Sequence, residues 1–429
     1  MPRFKHAAFL LILLVALPLV SRAATSASLN SQIESIRRDR DALVAEQARL
    51  QAELDKITAE GKTLGTAVKS LDASKKKLAS DIRVTQSKIA STDLNIKLLE
   101  QNVSETERLI KVHRQAVGEA LRALFHNDSR PVVLDLLASA NFSDAWQDTA
   151  QLTGLSDSLD DEVSQLRDTK TALSLQKAAK EKSREEAAAL AKDLSSQKSA
   201  VEQSQKAKEQ LLAETKNKEA AYQAMLAENA AKQKQFEDDL FRLESSLDLT
   251  IDSSLVAAPR HGILAWPLSS VVVTNSFGKV SGANTRIYAS GSHNGTDFRA
   301  SQGTAVKSMG TGVVAGTGNT DEQKGCGSYG RWMVISYDNG LSSVYGHLSS
   351  ISVQKGSRVS AGQTVAYSGG TPGVFGSGYS TGPHLHVGLF ATQGMEIRQF
   401  VESRGCKQVI VPIVDVKAYL DPLAYLPSL

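Results

Sequence analysis

The sequence predicts a multi-domain chain, a long α-helical coiled-coil hairpin followed by an antiparallel all-β C-terminal domain. Three observations predict it. Between residue 27 and about residue 250, Gly and Pro are almost absent and apolar residues keep a heptad spacing. From about residue 260 the chain carries most of its 30 glycines, set between short apolar runs rich in Val, Ser and Tyr. Aromatic residues make up only 5% of the 429 residues, so a large part of the chain builds no globular core.

At the N-terminus Arg3, Lys5 and His6 precede an unbroken apolar run, Ala7–Val20. Ser21-Arg22-Ala23 then supplies small residues where a signal peptidase cuts. The run is 14 residues long, short of the roughly 20 that span a bilayer. Residues 1–23 are therefore expected to be a cleaved signal peptide, with an uncleaved anchor as the other reading. No Cys follows the run to accept a lipid. The expected location is the periplasm or cell envelope, including a position peripheral to the inner membrane. Removing residues 1–23 takes away Arg3, Lys5 and Arg22 and no acid, so the formal charge goes from +3 to 0. That balance gives no electrostatic case for nucleic acid as a partner. The two cysteines, Cys326 and Cys406, lie in the exported part. An oxidising compartment permits a disulfide between them, and two free thiols are the alternative.

The helical region, 27–250, divides in three. Alternate steps of four and three from Leu29 reach Ile33, Ile36, Leu43, Leu50, Leu54 and Ile57, and continue to Leu124 without a slip. This predicts one helix over about 27–125, with seam flaws at Arg40, Gln47, Gly61, Lys75 and His113. A tip follows over 126–155, where Asn127, Asp128 and Ser129 lead into Pro131. A second, weaker heptad from Leu159 to Leu243 predicts a helix over about 156–248. Two runs of similar length favour an antiparallel hairpin, with a parallel homodimer along the first run as the alternative. At the tip, Leu134, Leu137, Phe142 and Trp146 either cap the hairpin or form an apolar patch that docks a partner.

Residues 251–261 read as a linker, and 262–429 as the β domain. Its strands are expected around VVVTNSF, GVVAGTG, RWMVISY, SSVYGHL, SRVSAGQTVAYS and HLHVGLF, with turn signals such as Asp338-Asn339-Gly340 between them. The stretch of about 392–418 is longer than a hairpin needs and reads as an insertion.

Four histidines of this domain fall in three settings, GSHNGTDF, YGHL and GPHLHV. His293 and Asp297 are four apart in a Gly-containing stretch that can bring both to one ion, and His386 offers a third ligand from another strand. Two histidines and a carboxylate with an open position suit a single catalytic zinc. Zinc there would polarise a scissile carbonyl and acidify water. His384 shares the strand face of His386, and His347 ends the VYGHL strand. These two suit proton transfer and oxyanion stabilisation. No HExxH helix supplies a glutamate base.

On these motifs the stretch 262–391, with the closing LDPLAYL, resembles the LytM/lysostaphin-type zinc endopeptidases that cleave peptide cross-links in peptidoglycan. The resemblance implies a compact antiparallel β fold with the site in a groove. It also implies zinc on His293, Asp297 and His386, and catalytic roles for His347 and His384. Two features depart from the family pattern. Gly388 stands where an acidic residue usually follows the last motif, and the 392–418 insertion carries Cys406. The order of signal, coiled coil and LytM-like domain is similar to that of the EnvC-like division proteins. In many of those the domain lacks its ligands and activates separate cell-wall amidases, and the coiled coil docks on an FtsE/FtsX-type membrane complex. The intact ligand set here argues for catalysis.

Overall fold

A computed structural model describes residues 19–60, 62–128, 142–279, 292–371, 380 and 382–429. Four helices come first: α1 Leu19–Ala59, α2 Leu64–Asp128, α3 Phe142–Thr215 and α4 Glu219–Glu244. The chain divides into two compact units, Met1–Arg40 with Ser87–Leu190 and Asp41–Gln86 with Ala191–Leu429. Residues 1–18 of the expected signal peptide lie outside the described residues, as do Leu134 and Leu137 of the tip. Phe142 and Trp146 sit in the first turns of α3. Among the described residues no helix is long and apolar enough to cross a membrane.

The single helix expected over 27–125 is two helices, and the chain reverses between them. Gln47 donates to Asp81 at 2.7 Å and Arg83 to Glu46 at 3.1 Å, so α1 runs antiparallel to α2 within the second unit. Thr63 caps α2 by accepting the Thr66 backbone N–H at 3.1 Å. The helix expected over 156–248 also differs. It begins at Phe142, inside the expected tip, and breaks after Thr215, where Lys216 and Asn217 adopt left-handed φ of 48° and 58°. The two breaks meet, because Glu219 accepts the Leu64 N–H at 2.9 Å and Gln223 donates to the Lys62 carbonyl at 2.9 Å. α2 and α3 are antiparallel in each unit taken by itself. Arg184 reaches Glu100 at 3.0 Å in the first unit, and Lys208 reaches Asp72 at 2.7 Å in the second.

The C-terminal domain is antiparallel and all-β. Its strands are Val273–Asn275 (β1), Gly278–Lys279 (β2), Ser292–His293 (β3), Thr296–Arg299 (β4), Ala305–Lys307 (β5), Gly312–Asn319 (β6) and Arg331–Tyr337 (β7). Leu341–Ile351 (β8), Arg358–Val359 (β9), Thr364–Ser368 (β10), His384–Ala391 (β11), Met395–Gln399 (β12), Ile410–Val414 (β13) and Tyr419–Leu420 (β14) follow among the described residues. The main path runs β1-β4-β11-β8-β7-β6-β9. Strand alternation sorts the side chains. Phe298 on β4 and Leu385, Val387 and Leu389 on β11 enter one apolar core with Val306, Met309 and Tyr345. Asp297, Arg299, His384 and His386 take the opposite face.

A second core joins that opposite face to α4. Phe236 and Leu240 of α4 pack with Trp332, Phe390, Phe400, Val411 and Ile413. The Phe236 ring meets Tyr329 and Phe400 edge-on, each at 5.7 Å. The stretch read as an insertion supplies the β12–β13 hairpin of this core, and Cys406 is disulfide-bonded to Cys326 across 80 residues. Asp239 of α4 accepts from the Arg404 guanidinium at 2.8 Å, and Glu244 accepts the Val414 N–H at 3.0 Å. α4 is therefore part of the β domain's packing, although in sequence it continues the helical region.

Candidate metal centre

β11 lies between β4 and β8, and its register builds the centre. His386 pairs with Asp297 on one side and with Gly346 on the other, and His384 pairs with Arg299. Because side chains two apart share a face, His384, His386, Asp297 and Arg299 all point the same way. His293 enters from β3 beside them. All three expected ligands are buried, at 0% exposure for His293, 8% for Asp297 and 5% for His386.

Three donor atoms converge. His293 Nε2 lies 3.3 Å from Asp297 Oδ1, His386 Nδ1 lies 2.9 Å from the same oxygen, and the two imidazole nitrogens are 3.2 Å apart. The edges of a tetrahedron of zinc ligands at 2.0–2.1 Å are about 3.3 Å long. The donor set and its spacing therefore fit one zinc ion. Neighbouring groups fix the tautomers. The Ser276 carbonyl, which can only accept, sits 3.2 Å from His293 Nδ1, so Nδ1 carries the hydrogen and Nε2 faces the other donors. The Asn275 amide lies against His293 Nδ1 at 3.1 Å and Asp297 Oδ2 at 3.4 Å.

His386 Nε2 is buried with no partner among the described residues. It is wedged between two glycines. A Cβ on Gly295 would lie 2.9 Å from it and 2.5 Å from the Val387 carbonyl oxygen, and one on Gly388 would lie 3.9 Å from it. The acid that usually follows the last motif would thus stand next to this nitrogen. Gly388 leaves it without that acceptor.

His384 is half-buried. Its Nδ1 donates to the Gly382 carbonyl at 2.8 Å, which directs Nε2 toward the centre, 3.7 Å from Asp297 Oδ1. His347 reaches the same place by a backbone irregularity. The β7–β8 register shifts between Arg331↔Leu348 and Met333↔Tyr345, which is a β-bulge at Gly346–His347. In an even ladder residue 347 would follow Tyr345 into the core. His347 instead takes φ 57°, and its ring lies 4.5 Å from that of His384 and 6.2 Å from that of His386. A left-handed non-glycine residue costs about 1–2 kcal/mol. His347→Gly is therefore expected to leave thermal stability unchanged or raise it by about 1 kcal/mol, while lowering any hydrolysis by about 10²–10⁴-fold. A clear loss of stability in thermal melts would contradict the strain.

Charge is tightly coupled here. Burial opposes charge on His293, but the Asp297 carboxylate beside it prevails and holds the imidazole above its usual pKa. Burial likewise works against the Asp297 charge, yet His293 and His384 hold the carboxyl well below the usual carboxylate range. Burial pushes His386 down, toward the neutral form a metal needs.

Two nearby groups carry no signal in the sequence. Glu237 of α4 lines a small cavity with His293, Asn294 and Tyr419, and burial pushes its carboxyl up to about 7. Its folded pKa exceeds its unfolded value, so the stability it supports is complete at low pH and lost as pH rises toward 7. Glu237→Gln is expected to raise the Tm of the metal-free protein by about 2–4 °C at pH 8 and by less at pH 5. Parallel Tm–pH profiles would rule this out. The other group is Arg299, on the same strand face as Asp297. A basic residue two after a ligand looks like ordinary strand polarity until the ladder is known.

Residues 291–398 match the model of Peptidase family M23. Over 97 residues the chain is 43% identical to the peptidoglycan DD-endopeptidase ShyA of Vibrio cholerae serotype O1, covering 23% of this chain and 20% of that protein. Over 94 residues it is 37% identical to the DD-carboxypeptidase/endopeptidase Mpg of Neisseria meningitidis serogroup B, covering 22% and 19%. Over 119 residues it is 32% identical to the cell division protein DipM of Caulobacter vibrioides, covering 28% and 17%. The chain thus spans about a fifth of the length of these relatives. The matched stretch holds His293, Asp297, His347, His384 and His386, so the likeness to Peptidase family M23 is one of residues 291–398 and includes this site.

Proposed function

We propose that this protein is an exported zinc metalloendopeptidase that hydrolyses peptide bonds in peptidoglycan during wall remodelling or cell division. The convergence of His293 Nε2, Asp297 Oδ1 and His386 Nδ1 within 2.9–3.3 Å carries the reading. The similarity to two proteins named as peptidoglycan or DD-endopeptidases supports the substrate. The similarity to DipM, a cell division protein, supports a place in division.

Zinc held by the three ligands supplies Lewis acidity toward the scissile carbonyl. The chain's own residues supply the rest. His384, with Nδ1 committed to Gly382, offers the Nε2 lone pair to take a proton from the attacking water and return it to the leaving amine. His347, whose ring lies 4.5 Å away at a tilt, suits oxyanion stabilisation.

The helical region is proposed to control access, since α1, α2 and α4 residues line a cavity that reaches His384. Its membrane partner would be an FtsE/FtsX-type complex. The second reading, a non-catalytic activator of cell-wall amidases, is favoured by the EnvC-like domain order. The deciding experiment is mass spectrometry of purified sacculi after incubation with the zinc-loaded protein, with and without chelator. New peptide termini that vanish with chelator support the endopeptidase. Cleavage that appears only with an added amidase, and survives chelation of this protein, supports the activator.

A further inference from the structure

Beside the metal centre lies a cavity of about 360 Å³, lined by Thr58, Lys62, Tyr222, Arg299, Pro383 and His384 among others. It brings together two cations from distant parts of the sequence. Arg299 is the Cα partner of His384 across the β4–β11 ladder, so its side chain stands next to the histidine that faces the metal donors. It is partly buried, and among the described residues no acceptor bonds its guanidinium. Lys62 comes from the reversal between α1 and α2. Its Nζ would lie 3.7 Å from a Cβ placed on Gly382, the residue whose carbonyl orients His384. No carboxylate of the described residues pairs with the Lys62 ammonium. The one acid of the cavity wall, Asp297, is already held by His293 and His386.

We propose that Arg299 and Lys62 form a carboxylate subsite, which selects peptides carrying a free carboxylate next to the bond to be cleaved. The inference rests on the endopeptidase reading and gives its substrate a required charge. A guanidinium presents two parallel N–H donors that match a carboxylate, and it does so best where water is partly excluded. An ammonium at the mouth adds a mobile second charge. The α1–α2 turn thereby contributes a contact to substrate as well as a wall. The carboxylate has two sources in such peptides, the α-carboxyl of a C-terminal residue and the free carboxyl of a glutamyl residue.

The test uses the full-length protein treated with chelator, so that nothing is hydrolysed, and a dye-labelled Ala–γ-D-Glu–Lys–D-Ala probe read by fluorescence anisotropy. Companion probes are amidated at the C-terminus, at the glutamyl carboxyl, or at both. One of the single amidations is expected to weaken binding by roughly 10- to 100-fold, and which one identifies the source. Arg299→Ala should weaken the free-acid probe by a similar factor and leave the doubly amidated probe unchanged. Arg299→Lys should recover part of the loss, and Lys62→Ala should cost less than Arg299→Ala. Equal weakening of free and amidated probes by Arg299→Ala, no weakening at all, or no binding of any probe overturns the subsite. If sacculi are cut normally by the zinc-loaded Arg299→Ala protein, the subsite falls and the endopeptidase reading stands. If binding follows charge as expected but wild-type protein cuts no sacculi, the endopeptidase reading falls and the subsite stands.

Discussion

Asp297→Ala is expected to abolish stoichiometric zinc binding and to lower sacculus cleavage by at least about 10³-fold. Its Oδ1 is the common neighbour of three imidazoles, 2.9 Å from His386, 3.3 Å from His293 and 3.7 Å from His384. Removing it takes away one ligand and also the charge that organises the other donors. Asp297→Asn keeps the shape and removes the charge, so it should lose most of the affinity as well. Calorimetric zinc titration and product counting on the same samples check both. Full cleavage by Asp297→Ala would take this metal centre out of the reaction, and cleavage that appears only with an added amidase and survives Asp297→Ala would establish the activator instead.

The second large effect concerns where the catalytic domain begins. A fragment of residues 258–429 matches the domain as composition delimits it, but it omits α4. It would expose the surfaces that Phe236 and Leu240 cover. At about 1.5–3 kcal/mol for each buried side chain, the loss is about 3–6 kcal/mol, comparable to the whole stability of many domains. The fragment 258–429 is therefore expected to melt far below 219–429, or to aggregate. Indistinguishable melting of the two fragments would show that α4 is dispensable.

The grouping of His293, Asp297 and His386 was legible in the sequence because each half of it is a local motif. HxH places both side chains on one face by strand alternation, HxxxD joins β3 to β4 across a Gly-containing bend, and the residue types restrict the chemistry to few metals. Arg299 was hidden in the same motif, because its neighbour His384 is set by ladder register rather than by chain spacing. Lys62 was invisible for a different reason. A heptad records which side of a helix is buried and does not record where the chain turns back. α1 and α2 share one unbroken register although they run in opposite directions. The boundary of the β domain was misplaced by composition, since α4 looks like more of the helical region while its apolar residues complete a sheet's core. The bond between Cys326 and Cys406 was undetermined for the same cause, as a separation of 80 residues says nothing about proximity.

The bulge at Gly346–His347 has a consequence for reading related genes. Loss of a single codon between Tyr345 and Leu348 would restore an even ladder and leave a histidine still written beside the strand's end. That histidine would take the place of Gly346, opposite His386 on the metal face, instead of the bulged position beside His384. A homologue could therefore keep all five motif residues on paper and hold this histidine in a different place relative to the metal donors. The count of residues from tyrosine to leucine across YGHL is as informative about such a gene as the letters themselves.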